Sequence, residues 1–360
     1  MISMLKPNMV GKEREYVKEA FDSNWIAPVG PFIKRFEDKV AEYVNVADAV
    51  ALSSGTSALH LACVVAGIQP GDIVLCPDCT FAASINPAVY CGATPAFIDV
   101  EYKTLNIDVK CLKKAIKTLK PKALVLVHMY GMPCYNSEEI LKLCHENDVI
   151  VIEDACEALG STVDGFYCGT LSGSGCFSFN GNKIITTSGG GMFVSNNVEM
   201  CEKVRFLSTQ AKENVSYYLH KEIGYNYRLS NVCAAIGTAQ MESLDAFIKK
   251  KNYIHDRYKE AFGNEVLSCL DNCTSNYWLS ILKVNNAETF VEKMKERGIE
   301  TRRVWTPLHT QPCFAGSRFF TEENNSSKAF FDYVCMPSDV SLTDEEIDFV
   351  ISKAKEFING

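Results

Sequence analysis

Lys183 is the residue whose neighbours most favour covalent chemistry. It follows an apolar run that ends near Ser178 and a tight Asn-Gly turn, and Ile184 and Ile185 come directly after it. Burial lowers the pKa of a lysine amine, and the neutral amine is a nucleophile that can form a Schiff base. A lone lysine is more often a solvated surface group, so this interpretation needs support from other segments.

Residues 53–60 form a second candidate group, in which a Gly-Thr-Ser turn joins an apolar run to a helical pattern. Free backbone N–H groups at a helix N-terminus, with hydroxyl groups beside them, form a binding site for phosphate. The turn contains no lysine and is therefore not a Walker loop. An ordinary strand-to-helix turn, capped by serine or threonine, is the alternative.

Asp154 is the third candidate, because it ends the apolar run that begins at residue 149. Open α/β sheets bind ligands at the carboxyl ends of their strands. A carboxylate there is costly unless it has a cationic or hydrogen-bonded partner. Asp154 is therefore either a helix N-cap or the partner of a buried cationic ring nitrogen, whereas its neighbour Glu153 and also Tyr130 are interpreted as structural.

The order of these signals is more specific than any one of them. A phosphate turn comes first, then a strand-end aspartate, then about thirty residues later a lysine flanked by apolar residues. Pyridoxal 5'-phosphate (PLP) requires a phosphate anchor, an anion at its pyridinium nitrogen and a Schiff-base lysine. The sequence therefore predicts a PLP site.

The elements that must position these residues are short buried strands alternating with helices. Continuous apolar strands of this kind predict an α/β fold with a mostly parallel sheet covered on both faces. The predicted strands are residues 49–52, 73–76, 95–98, 123–127, 149–152 and 175–179, and the predicted helices are residues 56–66, 108–118 and 137–146.

A second unit is expected after about residue 246, where three lysines (249–251) precede a polar helix over 253–262. Residues 278–284 and 301–304 have strand patterns, and 343–356 form a closing helix whose capping box has Thr343 as N-cap. We therefore predict a large PLP-binding domain with an N-terminal arm (1–246) and a smaller C-terminal α+β domain (247–360).

Composition excludes several other functions. A net charge of -8 over 360 residues argues against a nucleic-acid-binding surface. From the sequence we expect no signal peptide and no membrane-spanning run, and the sixteen scattered cysteines suit reduced thiols in a cytoplasm. Cys76 and Cys79 form the single CxxC, and neither they nor the six histidines have metal-site spacing, so we expect no metal.

Five segments in order resemble the DegT/DnrJ/EryC1/StrS family of sugar aminotransferases, which have the fold-type I PLP-dependent architecture. The resemblance covers nearly the whole chain. The segments are SSGTSALHLA (53–62), CTFAASINP (79–87), IEDACEALGS (152–161), FSFNGNKIITTSGGGM (177–192) and GYNYRLSN (224–231).

The resemblance implies a role for each matching position around the cofactor. Thr56 and Ser57 would bind the PLP phosphate through backbone N–H and hydroxyl groups, joined by Ser178. Phe81 would stack on the cofactor ring, with a place in the core as the alternative. An obligate homodimer is implied as well, because Asn226 would reach the cofactor phosphate of the neighbouring subunit and make the site composite.

The catalytic pair implied by the resemblance is Lys183 and Asp154. Lys183 would form the Schiff base and shuttle protons, while Asp154 would hold the pyridinium nitrogen. Glu157 falls where relatives have Gln, His or Glu close to cofactor and substrate. Relatives that dehydrate sugars have histidine at the lysine position, so a transaminase with glutamate as donor is expected here.

Three further segments (24–30, 208–214 and 302–309) resemble the bacillosamine-pathway branch, which aminates C4 of UDP-linked 4-keto-6-deoxy-N-acetylhexosamines. Arg303 stands where relatives often have proline. The expected substrate contacts are Trp25, Ile26, Pro28 and His309, with arm packing or a structural histidine as the alternatives. Amination at C3 of a dTDP-sugar, another keto substrate, and a non-catalytic PLP-binding regulatory protein are the rival functions.

Overall fold

The computed structural model describes residues 1–9 and 11–358. The helices are α1 (Glu13–Asp22), α2 (Pro31–Val44), α3 (Gly55–Val65), α4 (Asn86–Tyr90), α5 (Val109–Leu119), α6 (Ser137–His145), α7 (Val198–Ser208), α8 (Asn231–Met241), α9 (Leu244–Phe262), α10 (Ala287–Glu296), α11 (Asn325–Asp332) and α12 (Asp344–Ile358). The strands are β1 (Asp48–Leu52), β2 (Ile73–Pro77), β3 (Thr94–Ile98), β4 (Ala123–Val127), β5 (Ile150–Asp154), β6 (Thr162–Val163), β7 (Phe166–Tyr167), β8 (Ser174–Ser178), β9 (Gly191–Ser195), β10 (Cys273–Thr274), β11 (Ser280–Lys283), β12 (Arg302–Arg303), β13 (Arg318–Phe320) and β14 (Tyr333–Met336).

An eight-stranded sheet with the order β1-β9-β8-β5-β4-β2-β3-β13 organises the chain. β9 runs antiparallel to both its neighbours, and the remaining pairings are parallel. The α/β class and the mostly parallel sheet are thus confirmed. β9 and β13 were not predicted from the sequence, because the triple glycine at 189–191 extends into the start of β9 and β13 has only three residues.

Apolar side chains from both faces of this sheet are buried, which explains why its strands lack a polar alternation. In β4, Val125 joins one hydrophobic cluster, whereas Leu124 and Leu126 join another on the opposite face. Because the strands are covered on both sides, polar residues are concentrated at their ends. The carboxyl ends of β4, β5 and β8 therefore carry the chemistry.

A three-stranded antiparallel sheet, β11-β14-β12, packs with α10 and α12 around a separate hydrophobic cluster. The predicted capping box of α12 is confirmed, since Glu346 N–H donates to Thr343 Oγ1 (3.2 Å) and Thr343 N–H to Glu346 Oε2 (3.0 Å). A further small sheet has the order β10-β6-β7.

The polar helix predicted over residues 253–262 is wrong in its start, because α9 runs without a break from residue 244. Phe247, Lys251, Ile254 and Tyr258 are all buried, and this spacing keeps them on one face of a single helix. Residue 246 lies inside α9, and β13 pairs with β3 of the large sheet. The division into residues 1–246 and 247–360 stays a prediction.

Candidate active site

A cavity of about 290 Å³ opens at the carboxyl ends of the parallel strands. Strands and turns distant in sequence meet there because parallel strands end at one edge of a sheet. Its lining residues are Ser54, Gly55, Thr56, Leu59, Thr80, Phe81, Ala83, Ser84, Val127, Asp154, Cys156, Glu157, Ser178, Asn180, Lys183, Gly189 and Gly190. Lys183 and Asp154, predicted as the catalytic pair, therefore share one cavity.

The N-terminus of α3 forms one end of the cavity. Ser54 is its N-cap and accepts a hydrogen bond from Ser57 N–H (3.0 Å). A Cβ added at Gly55 would lie 2.8 Å from both Ser178 Cβ and Cys156 Sγ, so glycine lets the backbone approach the strand end closely. Thr56 and Ser178 also line this end, which presents a helix N-terminus and hydroxyl groups to an anion.

Ser57, also predicted to bind phosphate, is placed differently from Thr56. Its side chain is buried, and its hydroxyl lies 2.8 Å from the hydroxyl of Ser54 and 3.1 Å from that of Ser53. Ser57 does not line the cavity, whereas Ser54 does. Ser54 was missed in the sequence analysis, although its position before a helix made it a candidate N-cap.

Asp154 is held by donors that sequence reasoning missed. Ser84 Oγ donates to Asp154 Oδ2 (2.6 Å), and Cys156 N–H donates to Oδ1 (3.1 Å). Thr80 Oγ1 lies 2.9 Å from Ser84 Oγ, which extends the chain of hydroxyls. No helix begins directly after β5 among the described residues, so the N-cap alternative for Asp154 is wrong. The carboxylate is buried, oriented and directed at the cavity.

Lys183 is largely but not fully buried, with 13% of its side chain exposed. Ile184 and Ile185 on its carboxyl side are buried too. Lys183 Nζ lies 3.4 Å from Glu157 Oε1 and 4.0 Å from the ring centroid of Trp278. The amine thus has a carboxylate and an aromatic face as partners. Trp278 could not be predicted as a site residue, because it lies 95 positions further along the chain.

Glu157 is fully buried beside the lysine. Burial raises the pKa of its carboxyl, although Lys183, the Tyr130 N–H and Arg302 oppose that shift. The Tyr130 N–H donates to Glu157 Oε2 (2.8 Å) from a backbone with φ of 55°, a left-handed conformation that is strained for tyrosine. The Tyr130 hydroxyl in turn accepts from the Trp305 N–H (2.7 Å), so Tyr130 connects Glu157 to the C-terminal segment.

Phe81 lines the cavity with 54% of its surface exposed, which excludes the alternative that it is a core residue. Its ring lies 5.0 Å from that of Trp305, tilted by 42°. An exposed aromatic ring at the mouth of a cavity is available to stack on a planar ligand. Its stacking on a cofactor stays a prediction.

The other predicted site residues do not line this cavity within the described chain. Asn226 is exposed. Trp25 and Ile26 are nearly half exposed on the arm, and Pro28 lines a different surface cavity. His309 donates its backbone N–H to Asp78 Oδ1 (2.8 Å), and its Nδ1 lies 2.6 Å from Asp78 Oδ2. This buried aspartate favours the structural alternative for His309.

Comparison with known proteins identifies the family. The model of the DegT/DnrJ/EryC1/StrS aminotransferase family matches residues 7–355. The chain belongs to this family. It is 43% identical to EpsN of Bacillus subtilis strain 168, whose name describes a PLP-dependent aminotransferase, over 97% of this chain and 94% of that protein. GDP-perosamine synthase of Escherichia coli O157:H7 is 38% identical, over 99% of this chain and 98% of that one.

Two further comparisons agree. The dTDP-4-dehydro-2,3,6-trideoxy-D-glucose 4-aminotransferase of Saccharopolyspora spinosa is 30% identical, over 99% of this chain and 97% of that protein. The PLP form of the sugar aminotransferase Spr1654 from Streptococcus pneumoniae superposes with a TM-score of 0.93 at 25% identity, covering 99% of this chain and 98% of that one. The predicted family, the fold and the PLP-dependent sugar aminotransferase activity are confirmed.

The residues of the cavity fit PLP. The cradle at Gly55, which any Cβ would fill, suits a phosphate, and the hydrogen-bonded carboxylate of Asp154 suits a cationic ring nitrogen. The primary amine of Lys183 lines the same cavity. Separately, no helix among the described residues has the length and apolar character needed to cross a bilayer.

Proposed function

We propose that this aminotransferase moves an amino group from glutamate to C4 of a nucleotide-linked 4-keto-6-deoxy sugar. The observation that carries the transfer itself is the shared cavity of Lys183, Asp154 and Glu157. The C4 position is supported by the relative from Saccharopolyspora spinosa, which is named as a 4-aminotransferase and is similar over nearly its whole length. The product would enter polysaccharide or amino-sugar biosynthesis.

Two nucleotides are candidates for the group that carries the keto sugar. Segments 24–30, 208–214 and 302–309 favour a UDP-linked N-acetylhexosamine, as in the bacillosamine-pathway branch that they resemble. A GDP-linked sugar is the second candidate, favoured by the 38% identity to a GDP-perosamine synthase. A dTDP-linked sugar aminated at C3 is the remaining rival within catalysis.

Asp154, Lys183 and Glu157 each have a separate role in the proposed amino transfer. Bound PLP supplies an electron sink for carbanion formation. Asp154, held by Ser84 Oγ and Cys156 N–H, keeps a negative charge beside the ring nitrogen. Lys183 Nζ removes the Cα proton of the amino donor and later delivers a proton to C4 of the sugar. Glu157, 3.4 Å from that nitrogen, stabilises its protonated form.

Arg302 supports an amino donor that carries a carboxylate, such as glutamate. Its Nε and Nη2 atoms are buried and find no hydrogen-bond partner among the described residues, and the same is true of Trp305 Nε1. A buried guanidinium with unpaired N–H groups is costly, so an acceptor from a ligand would remove that cost. Arg302 Cζ and Lys183 Nζ lie 6.0 Å and 4.0 Å from the Trp278 ring centroid, so the two cationic groups are at most about 10 Å apart.

We further propose a homodimer with a composite site. The segment after α7 exposes large apolar side chains, with Tyr217, Tyr218 and Ile223 at 63%, 81% and 87% exposure. Asn226 is exposed at the end of this segment and does not line the cavity of its own chain. A second copy that covers this surface would receive Asn226 near its phosphate end. A cytoplasmic location is proposed with it, since all sixteen cysteines are free.

One assay tests the proposal. Purified protein is mixed with PLP and glutamate, and UDP-, GDP- and dTDP-linked 4-keto-6-deoxy sugars are then added separately. A new 4-amino sugar, detected by mass spectrometry with one of the first two, supports the proposal and selects the nucleotide. Amination of the dTDP-sugar alone would replace the proposed nucleotide. Activity only with a dTDP-linked 3-keto-6-deoxy sugar, added in a parallel reaction, would move the amination to C3. If glutamate does not remove the visible absorbance of protein-bound PLP, the result would favour a non-catalytic PLP-binding protein.

A further inference from the structure

Trp278 is a buried ring whose indole face contacts the amine of Lys183. It lies just before β11, is 1% exposed, and belongs to a group of nearly parallel rings. The Tyr130 ring lies 6.3 Å from it at 15°, and Trp305 lies 6.0 Å from Tyr130 at 12°. The lysine amine lies 4.0 Å from the Trp278 centroid, within the range of a cation–π interaction.

The position of Trp278 is fixed on several sides by hydrogen bonds. Its Nε1 donates to the Asn182 carbonyl (2.7 Å), which is adjacent to Lys183 in sequence. Its backbone N–H donates to Asn276 Oδ1 (2.8 Å), and its carbonyl accepts from Lys251 Nζ (2.9 Å). The two backbone bonds fix the chain at Trp278, and the ring cannot turn away about its side-chain torsions without breaking the Nε1 hydrogen bond. The indole is thus a rigid surface beside the lysine.

Glu157 alone holds the amine loosely. The Nζ–Oε1 distance is 3.4 Å, whereas charge-assisted hydrogen bonds are about 2.7–2.9 Å. Burial also raises the pKa of Glu157, which weakens it as a permanent anion. The indole face is electron-rich at any pH, and indole is the strongest of the aromatic partners for a cation. The Trp278 ring therefore stabilises the protonated amine of Lys183 through a cation–π interaction, which the neutral amine does not make.

We propose that Trp278 is a positioning residue that holds the protonated amine of Lys183 whenever that amine is not bonded to cofactor. This inference rests on the proposed role of Lys183 as proton shuttle. Each proton transfer would leave the ammonium on one rigid surface, with Glu157 on its other side. The amine then starts the next transfer from the same place.

Other charged and titratable groups also lie near this amine, and none of them is replaced in the Trp278 variants used to test the proposal. Asp154 and Cys156 lie on the same cavity wall as Glu157, and Arg302 is close enough to Glu157 to influence its pKa. A narrow space on the opposite side of Lys183 is lined by Lys6, Lys251 and Asp339. Replacing Trp278 by an uncharged residue changes none of these charges.

The test measures how fast the Lys183 amine is acetylated across a range of pH. Full-length protein prepared without cofactor is pulsed with acetic anhydride, and peptide mass spectrometry compares Lys183 with the exposed Lys110. In Trp278→Leu we expect Lys183 to be acetylated about three to ten times faster near neutral pH. Its pH profile, which is the acetylation rate plotted against pH, should move to lower pH by about half a unit to one unit. Trp278→Phe, with a weaker aromatic face, should shift it less in the same direction.

The matched control is Trp305→Leu, which removes another indole of the same group that does not contact Lys183. Its Lys183 profile should match that of the parent protein. Equal profiles in Trp278→Leu and the parent, or equal shifts in both leucine variants, would overturn the proposal. If Trp278→Leu does not fold, as judged by circular dichroism, an unshifted profile in Trp278→Phe overturns it instead.

A kinetic readout separates this proposal from the proposed function. In the glutamate half-reaction, Trp278→Phe should lower the rate constant several-fold and leave the concentration for half-saturation nearly unchanged. An increase in that concentration with an unchanged rate constant would contradict the assigned role. If the parent protein forms no amino sugar, the acceptor or the catalytic proposal fails, whereas the labelling profile still reports on the contact between Trp278 and Lys183.

Discussion

Two walls around Lys183 are built on different principles. The first wall lines the cavity and consists of strand ends and the α3 N-terminus, where Asp154, Ser178 and Thr56 offer hydrogen-bonding groups. The second wall comes from the C-terminal part of the chain, is not part of the cavity lining, and consists of Trp278, which contacts the lysine amine, and the Arg302 guanidinium near its ring. We infer that the first wall holds and polarises the cofactor, whereas the second positions the lysine and the amino donor. Substitutions in the first wall should therefore impair the chemistry at the cofactor, whereas substitutions in the second wall should impair donor binding or the placement of the lysine.

The largest expected effect is that of Lys183→Ala, which removes the group shared by both walls. Turnover should fall below detection, because no other amine among the described residues lines the cavity. PLP should still bind through the phosphate end, as measured by equilibrium dialysis. Lys249→Ala, at an exposed position of α9, is the control. Full activity in Lys183→Ala would refute the catalytic assignment.

Asp154→Asn should be the next most damaging variant, since it removes the negative charge and leaves the shape of the first wall intact. We expect the glutamate half-reaction to slow by orders of magnitude, measured by stopped-flow absorbance. Ser84→Ala, which removes one hydrogen bond to the same carboxylate, should slow it only about tenfold. Near-normal rates in Asp154→Asn would mean that another anion holds the ring nitrogen.

Arg302→Gln tests the second wall. If the unpaired Nε and Nη2 groups receive the donor carboxylate, the KM for glutamate should rise about ten- to hundred-fold, and the KM for the keto sugar should stay nearly constant. The adjacent Arg303→Gln serves as the matched control, because Arg303 pairs with Glu288 at the surface. An unchanged KM for glutamate would exclude Arg302 from donor binding.

The smallest expected effect concerns Lys251, which supports the second wall from behind by donating to the Trp278 and Ser338 carbonyls. Burial lowers the pKa of Lys251 to about 7. Between about pH 7 and pH 10 the unfolded chain therefore binds a proton that the folded chain does not. This group alone makes the free energy of unfolding rise with pH, by up to about 1.4 kcal/mol per unit.

Denaturant unfolding of the parent protein and Lys251→Met at pH 7, 8 and 9 measures this contribution. The parent should gain stability relative to the variant as pH rises. The comparison must use the difference, because buried cysteines such as Cys76 and Cys176 have raised pKa values and act in the opposite direction. Lys250→Met, on the same helix, should show no such trend. A constant difference for Lys251→Met would mean that its amine stays charged in the folded protein.

Most of the large sheet could be predicted from the sequence because its strands are buried on both faces. Runs such as 123–127 are apolar at each position, and the structure has a strand at those residues. β9 and β13 escaped prediction for a physical reason. β9 begins within a run of three glycines, which favours a turn, and β13 has only three residues, so its identity as a strand depends on its pairing with the distant β3.

The sequence by itself determined the cofactor, because the phosphate turn, the aspartate and the lysine each lie in a continuous segment with a recognisable local pattern. The reaction class followed from the resemblance of five segments to the DegT/DnrJ/EryC1/StrS family. Only the tertiary structure decided which side chains serve them. Ser84 reaches Asp154 across 70 residues of sequence, and Trp278 reaches Lys183 from a different part of the chain. Such contacts depend on where whole elements pack, and packing joins residues whose separation along the chain carries no periodic signal.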